Sequence, residues 1–309
     1  MFPAGRLGCP VMGRFAGAFA LLLIAVLSVV APGAPVTDPV AWADPEIRPV
    51  GSVPAPTGPA QAWIVADLDT GEVLAGRNEN TRYAPASTIK TLLAQVVLDE
   101  VPLDATIVAT DEDTEVICNC AGVAPGHTYT TRQLLEGLLL ASGNDAANTL
   151  ARMLGGEQAA VAKMNALAGR LGAHGTTVAS TSGLDVPGVP FWSTPHDLAV
   201  IFRAALNHPV FAEITAMPSA VFPARRGEMV LVNQNELLQR YPGALGGKTG
   251  YTDIARKTYV GAAQRDGRRL VVALMYGLVA DGGPTYWDQA TALLDWGFSQ
   301  DTGTAIGVL

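Results

Sequence analysis

The chain has 309 residues, with 20 Lys and Arg against 28 Asp and Glu and a formal net charge of −8. The acidic balance argues against nucleic acid as a partner. At 49% hydrophobic content the length allows one ample globular domain with an inserted subdomain.

Arg6 and Arg14 lead into a nearly unbroken apolar run over 15–31, and Ala41-Trp42-Ala43 offers a small-x-small cleavage site before Asp44. Residues 1–43 therefore read as an export signal, with a retained N-terminal anchor as the alternative. Cleavage would remove Arg6, Arg14 and Asp38 and move the net charge from −8 to −9. Residues 44–60, rich in Pro, Gly and Ala, read as an extended linker, and residues 61–309 as the functional domain. Cys9 leaves with the signal, so Cys118 and Cys120 are the cysteines of the mature chain. In an oxidising compartment they could pair across a small, strained ring or stay as thiols. His127 would extend them toward a metal site, but a fourth ligand is missing nearby.

Alternation over 62–75 around Asp69-Thr70-Gly71 predicts a β-hairpin. From Ser87 the pattern turns helical, with Ile89, Leu92, Leu93, Val96 and Val97 on one stripe. Thr130 to Gln133 forms a capping box that opens a helix through Leu140. Ser142-Gly143 breaks it, and further helices are expected over 145–154 and 157–171, the latter closed by Gly172. Thr194-Pro195-His196-Asp197 opens another. The last third changes character: strands are expected over 228–232, 245–251, 257–264 and 268–278, then an amphipathic helix over 284–298. Strands at both ends with helices between them imply one sheet built from the two chain ends, around a largely helical insertion.

Of the 20 basic residues only Lys90, Lys163, Lys248 and Lys257 are lysines. Lysine, unlike arginine, becomes a base once burial or a neighbouring cation lowers its pKa. Ser87 and Lys90 stand three residues apart at a helix start, so hydroxyl and amine share a face. The helix N-terminus favours negative charge on the serine oxygen and a neutral amine, the requirements of a nucleophile with its base. Alone, the same spacing fits a capping serine and a solvated lysine. Ser142-Gly143-Asn144 falls between two helices, where a hydroxyl can relay a proton and an amide can hold a carbonyl; a simple turn with Asn144 as cap is the bland alternative. In Gly246-Gly247-Lys248-Thr249-Gly250 the glycines clear a strand edge for a substrate backbone, and Lys248 and Thr249 offer donors for a carboxylate.

Together, Ser-x-x-Lys, Ser-x-Asn and Lys-Thr-Gly, in that order, resemble the motif set of penicillin-recognising serine enzymes. Within that superfamily four stretches are similar to the low-molecular-mass D-alanyl-D-alanine carboxypeptidases. They are Ser142-Gly143-Asn144-Asp145-Ala146-Ala147, Ser182-Gly183-Leu184-Asp185, Gly247-Lys248-Thr249-Gly250-Tyr251-Thr252, and Leu293-Leu294-Asp295-Trp296-Gly297-Phe298. The resemblance spans about 60–298 and implies an α+β, β-lactamase/transpeptidase-like fold with an antiparallel sheet. It implies Ser87 as the acylated nucleophile, Lys90 as general base, and Ser142 with Lys248 returning a proton to the departing D-alanine. Asn144 would bind the substrate amide, Thr249 and Gly250 the region of the terminal carboxylate, and the N–H groups of Ser87 and Tyr251 the oxyanion. It implies no metal or organic cofactor. The partners implied are a peptidoglycan stem peptide ending in D-Ala-D-Ala and β-lactams as acylating inhibitors, in the cell envelope, the periplasmic space or outside the cell. The membrane enters only through a retained signal, because the chain stops soon after Phe298 where many relatives continue into a β-rich domain and an amphipathic helix. A β-lactamase is disfavoured: between Glu157 and Glu213 there is no glutamate to activate water against the acyl-enzyme. A D,D-endopeptidase on peptidoglycan cross-links and a β-lactam or muropeptide sensor are the remaining alternatives.

Overall fold

The computed structural model describes residues 46–278, 282–301 and 303–309; the segment read as an export signal lies outside them. The chain enters the sheet with a hairpin of β1 (Ala60–Asp67) and β2 (Glu72–Arg77). Asp67 shapes its turn: its carboxylate accepts the N–H groups of Asp69 and Thr70 and pairs with Arg268 at 3.0 Å. Those interactions hold its pKa below the usual carboxylate value, although burial pushes the other way. A tight 3-10 turn, Ala86–Ile89, then leads into α1 (Lys90–Glu100).

The inserted subdomain follows: β3 (Thr106–Val108), α2 (Asp111–Thr114), β4 (Thr128–Thr130), α3 (Thr131–Leu139), α4 (Asn144–Met153), α5 (Glu157–Leu171), α6 (Pro195–Leu206) and α7 (Pro209–Ala216). The local signals for these helices are satisfied as expected. Thr130 accepts from the Gln133 N–H and Gln133 reaches back, Thr194 accepts from the Asp197 N–H, and Gly172 ends α5 in the left-handed region at φ 85°. β5 (Ser219–Pro223), β6 (Glu228–Val232) and α8 (Leu237–Arg240) lead back to the sheet. There the chain forms β7 (Ala244–Thr252), β8 (Arg256–Arg265) and β9 (Arg268–Gly277), then α9 (Tyr286–Ser299) and the short β10 (Gly307–Val308).

The main sheet has the order β10-β2-β1-β9-β8-β7 with antiparallel pairing throughout. β1 and β9 are its centre, so the two chain ends build one sheet. One expectation is corrected: residues 228–232 do not join it. β6 pairs with β5 in a separate hairpin, Val221 opposite Val230, whose outer face leaves both side chains exposed.

The period-2 pattern of the central strands divides the core. Ala62, Ile64 and Ala66 of β1 and Val271, Ala273 and Met275 of β9 face the helical insertion, where α6 covers them. Trp63, Val65, Leu270, Val272 and Leu274 face the other way, under Leu293, Leu294 and Trp296 of α9. Each fully buried leucine contributes about 1.5–3 kcal/mol. Residues 46–59 run along this assembly: Ile47 bridges Gly76, Ala55 is buried, and the Val53 carbonyl accepts from Trp296 Nε1 at 3.0 Å.

Candidate active site

Ser87 does not open a regular helix. It lies inside the 3-10 turn, after Ala86 at φ 49°, and Lys90 is the first residue of α1. The turn is pinned from two sides. Thr258 of β8 donates to the Pro85 carbonyl at 2.9 Å, and the Thr88 hydroxyl donates to the same carbonyl at 2.6 Å. A Cβ on Gly183 would stand 2.3 Å from the Ala86 carbonyl oxygen; one on Gly250 would stand 2.3 Å from Thr258 Oγ1 and 2.9 Å from the Ser87 nitrogen. Only glycine allows the serine turn to be clasped this closely by both neighbours.

Lys90 is fully buried. Its Nζ lies 2.8 Å from Ser87 Oγ, 2.7 Å from Asn144 Oδ1 and 2.7 Å from the Ser182 carbonyl oxygen. Burial lowers its pKa well below the ordinary lysine value; the nearby Lys248 charge lowers it further, and Asp145 opposes both. Lys248 is buried too, donates to the Thr249 carbonyl at 2.8 Å, and is lowered by burial to about 7.

Ser142, at φ 59°, is almost inaccessible, and its Oγ has no hydrogen-bond partner among the described residues. Asn144, the first residue of α4, gives one amide N–H to the Ile117 carbonyl at 2.7 Å, and its backbone N–H donates to the Asn119 carbonyl at 2.7 Å. Residues 117–123 thus form a strap across the Ser142–Asn144 loop. Asp145 anchors the strap, its buried carboxylate accepting the N–H groups of Ala121, Gly122 and Val123 at 2.8–2.9 Å. Cys118 and Cys120 are joined by a disulfide within the strap.

These elements enclose a cleft of about 380 Å3. Of the residues singled out from sequence, Ser87, Ser142, Asn144, Thr249, Gly250 and Tyr251 line it, while Lys90 and Lys248 lie buried behind the wall. Lys248 is therefore not a carboxylate donor on an exposed edge. The role expected for two glycines also changes: a Cβ on Gly246 would meet Thr215 Oγ1 at 2.5 Å and one on Gly247 would meet the Tyr259 hydroxyl at 2.6 Å, so both serve close internal packing. Sequence reasoning missed the Ser182 carbonyl, the strap, Glu236, Lys257, Tyr286 and Trp287 as site components. The first two act through backbone atoms, which side-chain identity does not announce; Lys257 carried a signal in its rarity.

A β-lactamase/transpeptidase-like sheet and helical insertion, with a serine, a buried lysine and a lysine-threonine strand around one cleft, define a penicillin-recognising serine enzyme. Comparison narrows the class. Residues 50–277 match the family model Peptidase_S11, D-alanyl-D-alanine carboxypeptidase. The chain is 65% identical over 268 residues to the D-alanyl-D-alanine carboxypeptidase DacB2 of Mycobacterium tuberculosis, covering 87% of this chain and 92% of that protein. It is 30% identical over 250 residues to DacF of Bacillus subtilis, covering 78% of this chain but only 62% of that protein. The crystal structure of a D-alanyl-D-alanine carboxypeptidase from M. tuberculosis H37Rv is similar at a TM-score of 0.84 and 65% identity, over 85% of this chain and all of that one. The Streptomyces K15 DD-transpeptidase is similar at 0.75 and 29% identity, over 80% of this chain and all of that one. The chain belongs to the D-alanyl-D-alanine carboxypeptidase family, Peptidase_S11.

Proposed function

We propose that this chain is a serine D-alanyl-D-alanine carboxypeptidase that removes the terminal D-alanine of peptidoglycan stem peptides through an acyl-enzyme on Ser87. The surroundings of the Lys90 amine carry the reading. A neutral amine has two N–H groups and one lone pair. Asn144 Oδ1 and the Ser182 carbonyl only accept, so they take the two N–H groups; of the three neighbours, only the Ser87 hydroxyl can donate. The lone pair then faces the serine proton, which is the geometry of a base beside its nucleophile.

In the reaction, Ser87 Oγ attacks the carbonyl carbon of the penultimate D-alanine as its proton passes to Lys90. The carbonyl electron pair moves onto oxygen, which the N–H groups of Ser87 and Tyr251 receive. Collapse breaks the C–N bond, and the departing amine takes a proton through Ser142, backed by Lys248. Asn144 keeps one amide N–H for the substrate carbonyl, since Ile117 uses the other. Thr249 meets the terminal carboxylate beside Gly250. Water, giving a proton to Lys90, then attacks the acyl carbon; the ester bond to Ser87 Oγ breaks, the oxygen recovers that proton, and a stem peptide one residue shorter leaves. A β-lactam carries the same amide and carboxylate and acylates the same serine. The family and the apolar N-terminal run support action outside the cytoplasm, in the cell envelope.

The test is intact-mass analysis with and without penicillin, on wild type and Ser87→Ala, beside D-alanine release from a pentapeptide. An adduct and D-alanine release on wild type alone are expected. Intact penicillin, no adduct and no D-alanine from wild type would overturn the reading.

A further inference from the structure

The mechanism leaves the Cys118–Cys120 disulfide unused, although it closes the strap that crosses the Ser142–Asn144 loop. The two halves of that strap are held differently. Residues 121–123 are fixed by the buried Asp145 carboxylate, which accepts their N–H groups. Residues 117–119 lack such an anchor among the described residues, yet they make the contacts to the catalytic loop. The Ile117 carbonyl accepts from the Asn144 side-chain amide and the Asn119 carbonyl accepts the Asn144 backbone N–H, both at 2.7 Å. Asn119 Nδ2 lies 3.2 Å from the Ala141 carbonyl oxygen and 3.4 Å from that of Ser142.

Asn119 stands between the two cysteines, so the disulfide ties the contacting half of the strap to the anchored half. A covalent ring this small leaves the residue inside it few backbone conformations. Ser142 depends on that hold. It sits at φ 59°, a region that non-glycine residues adopt at a cost, and its Oγ has no hydrogen-bond partner among the described residues. The sulfurs are also within reach of a reagent: Cys118 is exposed and lines the cleft, and Cys120 is half-buried. Thiol–disulfide exchange requires a thiolate to approach a sulfur directly, and this placement permits it.

We propose that Cys118–Cys120 is a site of reversible thiol–disulfide exchange with a dithiol, and that its state sets the turnover of the cleft by holding or releasing the Ser142–Asn144 loop. The inference rests on the carboxypeptidase reading and adds a control to that site. In the exchange, one thiolate of the dithiol attacks Cys118 Sγ. The bond between the cysteines breaks, and its electron pair leaves on Cys120 Sγ, which takes a proton. The second thiolate then attacks the dithiol's own sulfur in the mixed disulfide. Cys118 Sγ leaves with that electron pair and the second proton, and the reagent departs as its disulfide. The cysteines gain two electrons and the dithiol loses two. Opening the ring frees Asn119, and the loop then samples arrangements in which the Ser142 hydroxyl misses the departing amine. Thr249 lies on β7, away from the strap, so the hold on the substrate's terminal carboxylate persists.

The experiment compares wild type before and after treatment with dithiothreitol, the excess reagent then being removed, with a Cys118→Ser/Cys120→Ser double variant. Alkylation and peptide mass locate the thiols; D-alanine release from a pentapeptide and penicillin adduct formation report the site. Reduction should expose thiols at Cys118 and Cys120 and lower kcat about tenfold with little change in KM, the scale of a small misplacement of a reacting group. Reoxidation should restore the rate. The double variant should keep the lower rate with or without dithiothreitol, with a circular dichroism spectrum like that of wild type. An unchanged kcat once both thiols have appeared would overturn the inference, as would a fully active double variant. Thiols that appear only on unfolding, or a loss that follows the melting transition and does not return on reoxidation, would overturn it too and mark a purely structural bond. Oxidised wild type that forms no adduct and releases no D-alanine would overturn the carboxypeptidase reading, and this inference with it.

Discussion

Replacing Lys248 with methionine should stabilise the fold near neutral pH while destroying turnover. Burial lowers the Lys248 amine from 10.5 to about 7, whereas in the unfolded chain it titrates at its ordinary value. Below about pH 7 both states carry the charge, and the fold bears the whole cost of burying it. Between about 7 and 10.5 the folded amine has lost its proton and the unfolded one has not, so the cost shrinks as pH rises and is gone above that window. At roughly 1.4 kcal/mol per unit the full penalty is about 5 kcal/mol, and about 3 kcal/mol of it remains at pH 8. Methionine removes the charge and keeps the unbranched stem, but loses the hydrogen bond to the Thr249 carbonyl, which offsets about 1 kcal/mol. Lys248→Met should therefore be more stable than wild type by about 2 kcal/mol at pH 8, with the advantage gone near pH 10. Urea unfolding at both pH values measures this. Because the Lys248 charge also lowers Lys90, penicillin acylation in the variant should shift its alkaline onset to higher pH. A variant less stable than wild type at pH 8, or an advantage that does not change with pH, would refute the reasoning.

Three further outcomes are expected. Lys90→Arg keeps the positive charge but cannot accept the serine proton, so penicillin acylation, followed by adduct mass over time, should fall by at least about 100-fold. Gly250→Ala should cost about 1–3 kcal/mol in unfolding free energy and slow acylation, because the added carbon would stand 2.3 Å from Thr258 Oγ1. Asp145→Ala leaves the strap N–H groups of residues 121–123 without their acceptor. It should destabilise by about 3–5 kcal/mol and depress acylation, whereas Glu213→Ala, an exposed partner of Arg132, should change the melting temperature little.

The architecture was largely legible because its signals are local and repeated. The hairpin at Asp69-Thr70-Gly71, the Thr130–Gln133 and Thr194–Asp197 caps and the stop at Gly172 each rest on a few adjacent residues, and each formed as read. β10 and β3 have two and three residues, too few for any period to register, and α7 carries its apolar residues without a clear stripe. β6 looked like a member of the main sheet because alternation fixes which face a strand presents, not which partner it takes. In the site, the spacing of Ser87 and Lys90 was sufficient, although the turn that brings them together is 3-10. The contacts that decide the amine's state come from the Ser182 carbonyl and Asn144, separated from it by 92 and 54 residues. Glycine positions were visible, but their purpose was not: Gly246 and Gly247 make room for Thr215 and Tyr259.

The flank of β2 that faces away from β1 is covered by residue 47 and by the C-terminal residues 306–309. Ile47 pairs with Gly76, while Ile306 and Leu309 donate to the carbonyls of Val73 and Gly71 beside the β10 ladder. The opposite outer strand of the sheet is β7, which carries Lys248, Thr249 and Gly250. The backbone groups of the first flank are thus engaged within the chain, while the strand on the far side of the sheet borders the cleft with Thr249, Gly250 and Tyr251. Spending those backbone groups within the chain blunts this flank as a template for another strand, a hazard that bare sheet edges carry.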